Sequence, residues 1–254
     1  MNGKRGYGVN SDKQDIVLKE NNGSSTVSRR KFFVFTGMAT LLALAGSILP
    51  GCFSSNTLSS SAAYAAGSSG KKPKNILIIT GSAREQGNSE LLAEAFAKGA
   101  REAGHTVTIF HSGQERMSGC IACDACWSTG NPCVMEDAFD MLWPLLEQAD
   151  MLVFCSPLYW YNFSGHIKNA MDRLYAYSKK DKPRDLKIKE AMLLMCGETW
   201  FKKSFDGPAE SYRQMLGFKG WKDRGRLFVT SVHERGEIAG SSSLKTAEKM
   251  GREA

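Results

Sequence analysis

Two short stretches of this 254-residue chain hold side chains whose types and spacing suit chemistry. The first is Gly81-Ser82-Ala83-Arg84-Glu85-Gln86-Gly87-Asn88-Ser89, a small, polar, glycine-flanked loop. It follows an apolar run and precedes a helical pattern. Free backbone N–H groups and a positive dipole at such a helix start, joined by hydroxyls and a guanidinium, hold phosphate. An ordinary strand-to-helix turn needs no Arg. The second stretch is Cys120-x2-Cys123-x2-Cys126-x6-Cys133. Four of the seven cysteines fall within fourteen residues, so they form a cluster rather than a dispersed disulfide framework. Four thiolates suit zinc. An exported chain could instead oxidise them to two disulfides.

A third stretch, Pro157-Leu158-Tyr159-Trp160-Tyr161-Asn162, places three adjacent aromatics in a loop. They cannot all face one core, and a nearby planar π-system would explain them. A dimer interface would explain them too, and a homo-oligomer is expected. Cys155 and Cys196 sit at the ends of apolar runs and read as small core residues. None of the four histidines has a clear role. The chain has no paired-carboxylate, Ser-His-Asp or Walker pattern, so no catalytic side chain is assigned.

The elements that must position these residues alternate in type. Ile76–Ile79, Thr106–Phe110, Met151–Cys155, Ala191–Cys196 and Leu227–Val232 are short apolar runs of strand type. Helical spacing falls between them, at about Ser89–Ala103, around Phe139–Leu146, after Ser164, from Asp206 to Gly217, and from about Ser243 onward. Ser164 is a candidate N-cap, and Pro144 inside the second helix implies a bend. Residues 156–163 read as a loop, and the basic stretch Lys179–Lys189 as exposed. Uniformly apolar strands alternating with helices give an α/β fold, a doubly wound parallel sheet covered on both faces. Five strands favour the flavodoxin-like order 2-1-3-4-5 over the six-stranded dinucleotide fold. Ligands of such sheets sit at the strand C-terminal ends, near the switch between the first and third strands. The Gly81 and Pro157 loops both fall there, and Cys196-Gly197-Glu198 should form a third wall. The loop from His111 to about Asp137 is long for a compact α/β unit, which implies that it has a job.

The formal net charge of +7 is uneven. Residues 1–66 hold seven Lys/Arg against three Asp/Glu, and the remainder 26 against 23. That balance is too mild to argue for nucleic acid. The N-terminal segment reads as an address. Ser28-Arg29-Arg30-Lys31-Phe32-Phe33 precedes a mildly apolar, glycine-broken run, Val34–Leu49, and resembles a bacterial twin-arginine export signal. The run is short for a membrane anchor. Cleavage after Ala63-Tyr64-Ala65 and lipidation at Cys52, within Leu49-Pro50-Gly51-Cys52, are both open. The expected organisation is a signal and Ser/Ala-rich tether over 1–66, a flexible lead-in over 67–74 and one domain over 75–254. Membrane attachment is expected only through an uncleaved signal or a lipid on Cys52. The address implies a periplasmic or envelope-attached protein that leaves the cytoplasm folded with its cofactor in place.

From Lys74 onward the chain resembles the flavodoxin-like NAD(P)H-dependent FMN reductase family, and within it the iron–sulfur flavoproteins. GSAREQGNS is similar to that family's phosphate loop, and SPLYWYNFSGHIKNAMDR to its S-P-x-Y-W-x-N segment. The resemblance implies that Ser82, Arg84, Gly87, Asn88 and Ser89 hold the FMN phosphate. It implies that Pro157, Leu158, Tyr159, Trp160 and Asn162 lie along the flavin ring. It also implies that Cys120, Cys123, Cys126 and Cys133 hold a [4Fe–4S] cluster, in a spacing close to that of ferredoxins although Pro132 precedes the last Cys rather than following it. The expected activity is FMN-dependent electron transfer to a quinone or other small acceptor, with a small-molecule or protein donor. The alternative is an exported electron carrier between envelope redox partners. A third reading is a non-redox binding module whose cysteines hold zinc or disulfides.

Overall fold

The computed structural model describes residues 72–178 and 184–254. The twin-arginine segment, Cys52, the cleavage site after Ala65 and the start of the lead-in lie outside the described residues.

The chain runs β1 (Asn75–Thr80), α1 (Asn88–Glu102), β2 (Thr106–His111), α2 (Phe139–Gln148), β3 (Met151–Tyr159), β4 (Asn162–Phe163), α3 (Gly165–Arg173), β5 (Glu190–Cys196), α4 (Asp206–Lys219), β6 (Lys222–Val229) and α5 (Ser242–Arg252). Five strands form a parallel sheet in the order β2-β1-β3-β5-β6. This is the expected 2-1-3-4-5 order with one strand added to the count. The addition is β4, two residues long and antiparallel to the end of β3 (Leu158 opposite Phe163, Tyr159 opposite Asn162).

Side chains alternate between the two faces of each strand, so the sheet divides the core in two. Leu77, Ile79, Leu152 and Phe154 face α2, α3 and α4 through Phe139, Ile167 and Tyr212. Ile76, Ile78, Val153 and Leu194 face α1 and α5 through Phe96 and Ala247. The α1–α5 contact is unusually close. A Cβ at Gly99 would lie 1.9 Å from the Glu248 carbonyl oxygen, and one at Gly251 would lie 2.1 Å from that of Phe96. Only glycines let these two backbones meet.

Several boundaries differ from the sequence expectation. β3 runs four residues past Cys155, because antiparallel pairing with β4 takes over where the parallel ladder ends. β6 begins at Lys222 rather than Leu227, since a half-exposed edge strand tolerates the polar run Lys-Asp-Arg. Gly217 lies inside α4, and the left-handed residue that ends the helix is Gly220, with φ +67°. Pro144 sits inside α2 without ending it. Leu186 and Ile188, in the stretch expected to be exposed, are buried.

One buried ion pair fixes the long loop after β2. Arg173, 3% exposed at the end of α3, bonds both carboxylate oxygens of Asp137 at 2.9 and 2.6 Å. Its Nε donates to the Ser118 carbonyl, while Ser118 N–H donates to Asp137. Both ends of the cysteine-bearing segment are thus tied to one guanidinium. Burial alone would push the Asp137 carboxyl up. The N–H groups of Ser118 and Phe139 and the charge of Arg173 outweigh burial and hold it below the usual carboxylate range.

Candidate functional site

The C-terminal ends of β1, β3, β5 and β6 open onto one cavity of about 250 Å³. That is near the lower end of the roughly 300–1,000 Å³ typical of small-molecule clefts, and the cavity is open to solvent. Its first wall is the β1–α1 loop. Gly81 N–H donates to the Cys155 carbonyl, and Ser164 Oγ donates to that of Gly81. A Cβ at Gly81 would lie 2.5 Å from Ser164 Oγ, so the loop passes close to the start of α3 only because this residue is glycine. Ser164 caps α3, accepting from Ile167 N–H. Within the loop, Ser82 Oγ accepts from Arg84 N–H at 3.1 Å.

Gly87 is the N-cap of α1 and supplies no side-chain cap. The first-turn N–H groups therefore point outward with the helix dipole behind them. Ser82, Arg84, Gly87, Asn88 and Ser89 all line the cavity. Arg84 donates one bond to the His233 carbonyl and takes no carboxylate partner among the described residues. Asn88 is engaged elsewhere. Its amide donates to the Glu234 carbonyl at 2.9 Å and accepts from Ile238 N–H at 3.1 Å.

Pro157, Leu158 and Tyr159 form the second wall. Trp160 and Asn162 do not line the cavity. Asn162 Oδ1 accepts from Phe163 N–H at the turn. Trp160 is 94% exposed and borders an adjoining open groove with Tyr161, Leu158, Glu198, Thr199 and Ser204. Leu158 and Glu198 belong to both spaces. The turn itself is strained: Trp160 and Tyr161 have φ of +46° and +60°, a two-residue hairpin geometry that favours Asn-Gly. Cys196, Gly197 and Glu198 make the third wall, where topology places them. Burial pushes the Cys196 thiol up to about 12, against a lowering bond from Ser89, so it is a neutral thiol. Cys155 is likewise buried and pushed up.

Sequence reasoning missed a fourth wall, Val232, His233 and Arg235. These residues follow β6, whose C-terminal end opens on the same edge as the others. That topological rule could have found them. His233 Nδ1 lies 3.1 Å from Glu198 Oε2, both side chains being exposed.

The four clustered cysteines line a separate apolar pocket, with Ile121, Pro132, Val134 and Ala176 among its other walls. None is in a disulfide. Backbone N–H groups donate to sulfur twice, Ala122 to Cys120 and Met135 to Cys133. Burial first, then the charges of Cys120 and Cys123, pushes the Cys126 thiol up. A bound cation would relieve that repulsion. Among the described residues, no three His, Cys, Asp or Glu side chains converge closely enough to hold a metal ion as they stand.

The family profile described as NADPH-dependent FMN reductase matches residues 74–216. An iron-sulfur flavoprotein of Archaeoglobus fulgidus is 30% identical over 102 residues, which is 40% of this chain and 46% of that protein. One from Methanosarcina thermophila is 32% identical over 104 residues, 41% of this chain and 53% of that protein. The chain thus spans about half the length of the curated relatives it matches. The NAD(P)H:quinone oxidoreductase from Methanothermobacter marburgensis superposes with a TM-score of 0.53 at 23% identity, covering 71% of this chain and 96% of that one. At that identity the likeness is one of fold.

Proposed function

The chain belongs to the NADPH-dependent FMN reductase family, and on that premise we propose that it is an FMN-dependent oxidoreductase passing electrons to a quinone or other small planar acceptor. One observation carries the reading: an uncapped helix N-terminus, Arg84 and the Pro157–Tyr159 wall meet in a single cavity at the switch point of the sheet. These groups fit a phosphate at one end and a flat ring at the other. FMN, when bound, supplies the hydride and electron chemistry.

The chain's own residues would do the rest. Ser82, Arg84, Gly87 and Ser89 hold the phosphate. Pro157, Leu158 and Tyr159 flank the ring, with Gly197 packed beside Leu158. Glu198 orients His233 through Nδ1. Trp160 and Tyr161, turned out beside the cavity, offer a face on which an aromatic acceptor stacks.

The proposal extends to a [4Fe–4S] cluster on Cys120, Cys123, Cys126 and Cys133. The name of the similar archaeal proteins supports it, as do four thiols around one apolar pocket with N–H groups on two sulfurs. The absorption spectrum of anaerobically purified protein, with iron and sulfide counts, tests both parts. Flavin bands with about four irons and four sulfides support both. Flavin without iron removes the cluster, and the absence of flavin overturns the activity.

Export by the twin-arginine route rests on Ser28-Arg29-Arg30-Lys31-Phe32-Phe33. In a bacterial host with that pathway, the pair R29K/R30K should hold the full chain in the cytoplasm. Fractionation of wild type and variant decides it, and unchanged export would refute the motif. Assembly as a homo-oligomer is part of the same reading and is checked by sedimentation.

A further inference from the structure

We propose that the loop joining β6 to α5, residues 230–241, is a clasp over the phosphate loop, and that Arg235, carried on it, is a second cation for the flavin's phosphate. This rests on the FMN reading above and adds to it. The residues concerned lie beyond residue 216, where the family match ends.

Four observations carry it. The loop is bonded to the phosphate loop at three points: Asn88 gives to the Glu234 carbonyl and takes from Ile238 N–H, and Arg84 gives to the His233 carbonyl. The loop is also folded on itself. The Glu237 carboxylate accepts from the N–H groups of His233 and Glu234 at 2.6 and 3.0 Å, and Ile238 is fully buried. Arg235 faces the cavity that Arg84 faces, and it has no ion pair or hydrogen bond among the described residues. Finally, the α1 N-terminus between them has no side-chain cap.

Two exposed guanidiniums without carboxylate partners thus line one cavity at the positive end of a helix dipole. A phosphate monoester, carrying about −1.5 to −2 charges at neutral pH, takes charge-assisted hydrogen bonds from both. The only acid in the cavity lining, Glu198, is held by His233. The arrangement therefore distinguishes FMN from riboflavin, which has the same ring and no phosphate. It also gives Asn88 a different task from the one its motif implies. Each end of its amide bonds the clasp, which makes it a positioning residue for Arg235.

The test uses the full chain, freed of flavin and titrated separately with FMN and riboflavin by flavin-fluorescence quenching. R235Q should weaken FMN binding roughly tenfold, the worth of one charge-assisted hydrogen bond, and leave riboflavin within about twofold. R235K should recover part of the loss. N88A should weaken FMN to a similar degree. Combining N88A with R235Q should add little, because both remove one contact. Far-UV circular dichroism confirms that the variants are folded. If R235Q leaves FMN affinity within about twofold, or weakens both flavins equally, the proposal is overturned while the flavin reading stands. Failure of the wild-type chain to bind either flavin sinks the flavin reading itself.

Discussion

At the scale of single residues, the ion pair Arg173–Asp137 has the clearest energetic consequence. Removing the carboxylate leaves a guanidinium buried at 3% exposure with no counter-charge. D137N should therefore cost about 3 kcal/mol, read from the urea midpoint at pH 7. The pH dependence has a definite sign. The folded-state pKa of Asp137 is depressed, so its contribution is complete above the unfolded value of about 3.9 and is lost as pH falls through the lower folded value. The gap between wild type and D137N should shrink steadily below about pH 4; a constant gap would show that the carboxylate is not held by charge. This pair was half legible. Asp172-Arg173 closes the family-like segment, but its partner lies thirty-six residues away, and spacing alone does not predict such a contact.

At the scale of elements, the β3–β4 hairpin and the α1–α5 contact lead to opposite expectations. The hairpin turn holds two aromatics in left-handed backbone at a cost of order 1–3 kcal/mol each. Replacing Trp160-Tyr161 by Asn-Gly should raise the melting temperature by several degrees and raise KM for a quinone acceptor, with FMN affinity unchanged. A fall in melting temperature would show that the aromatics pack rather than wait for a ligand. By contrast, G251V forces a side chain into the Phe96 carbonyl and should cost more than 3 kcal/mol, seen as loss of folded protein or a sharply lowered midpoint. The sequence signals behind these elements were unequal. The buried strands were plain because both their faces are apolar. β4 was missed because a two-residue strand has no periodicity to detect. The start of β6 was missed because an edge strand can be polar.

At the scale of the whole molecule, four strand ends and the loops between them make one ligand site, so flavin binding should report on global stability. FMN at a hundred times its dissociation constant should stabilise the fold by about 2.7 kcal/mol, or roughly 5–10 °C in melting temperature. Differential scanning fluorimetry with and without FMN measures this; no shift at saturating FMN would mean that the cavity does not bind it. Most of the site was readable from sequence. Topology sends the β1, β3 and β5 loops to one edge, and the motifs supply the residue types. The wall after β6 was overlooked because His233 and Arg235 stand in no recognisable pattern. Asn88 shows a different limit: its motif implies a phosphate contact, while its partners in the structure come from a segment about 150 residues away.

The cysteine-bearing segment leaves the body of the protein at Ser118 and rejoins it at Asp137, and one arginine grips both points. Between those ends, Asp124 takes a hydrogen bond from the Tyr175 hydroxyl, Trp127 packs on the Tyr175 ring, and Cys126 and Cys133 rest against the core. The segment's ends lie side by side, so a replacement needs no rethreading of the sheet but must supply new contacts for Tyr175 and the core beneath it. A lineage could refit this scaffold with another metal-binding sequence and keep the flavin cavity as it is. An engineer could do the same in one cloning step.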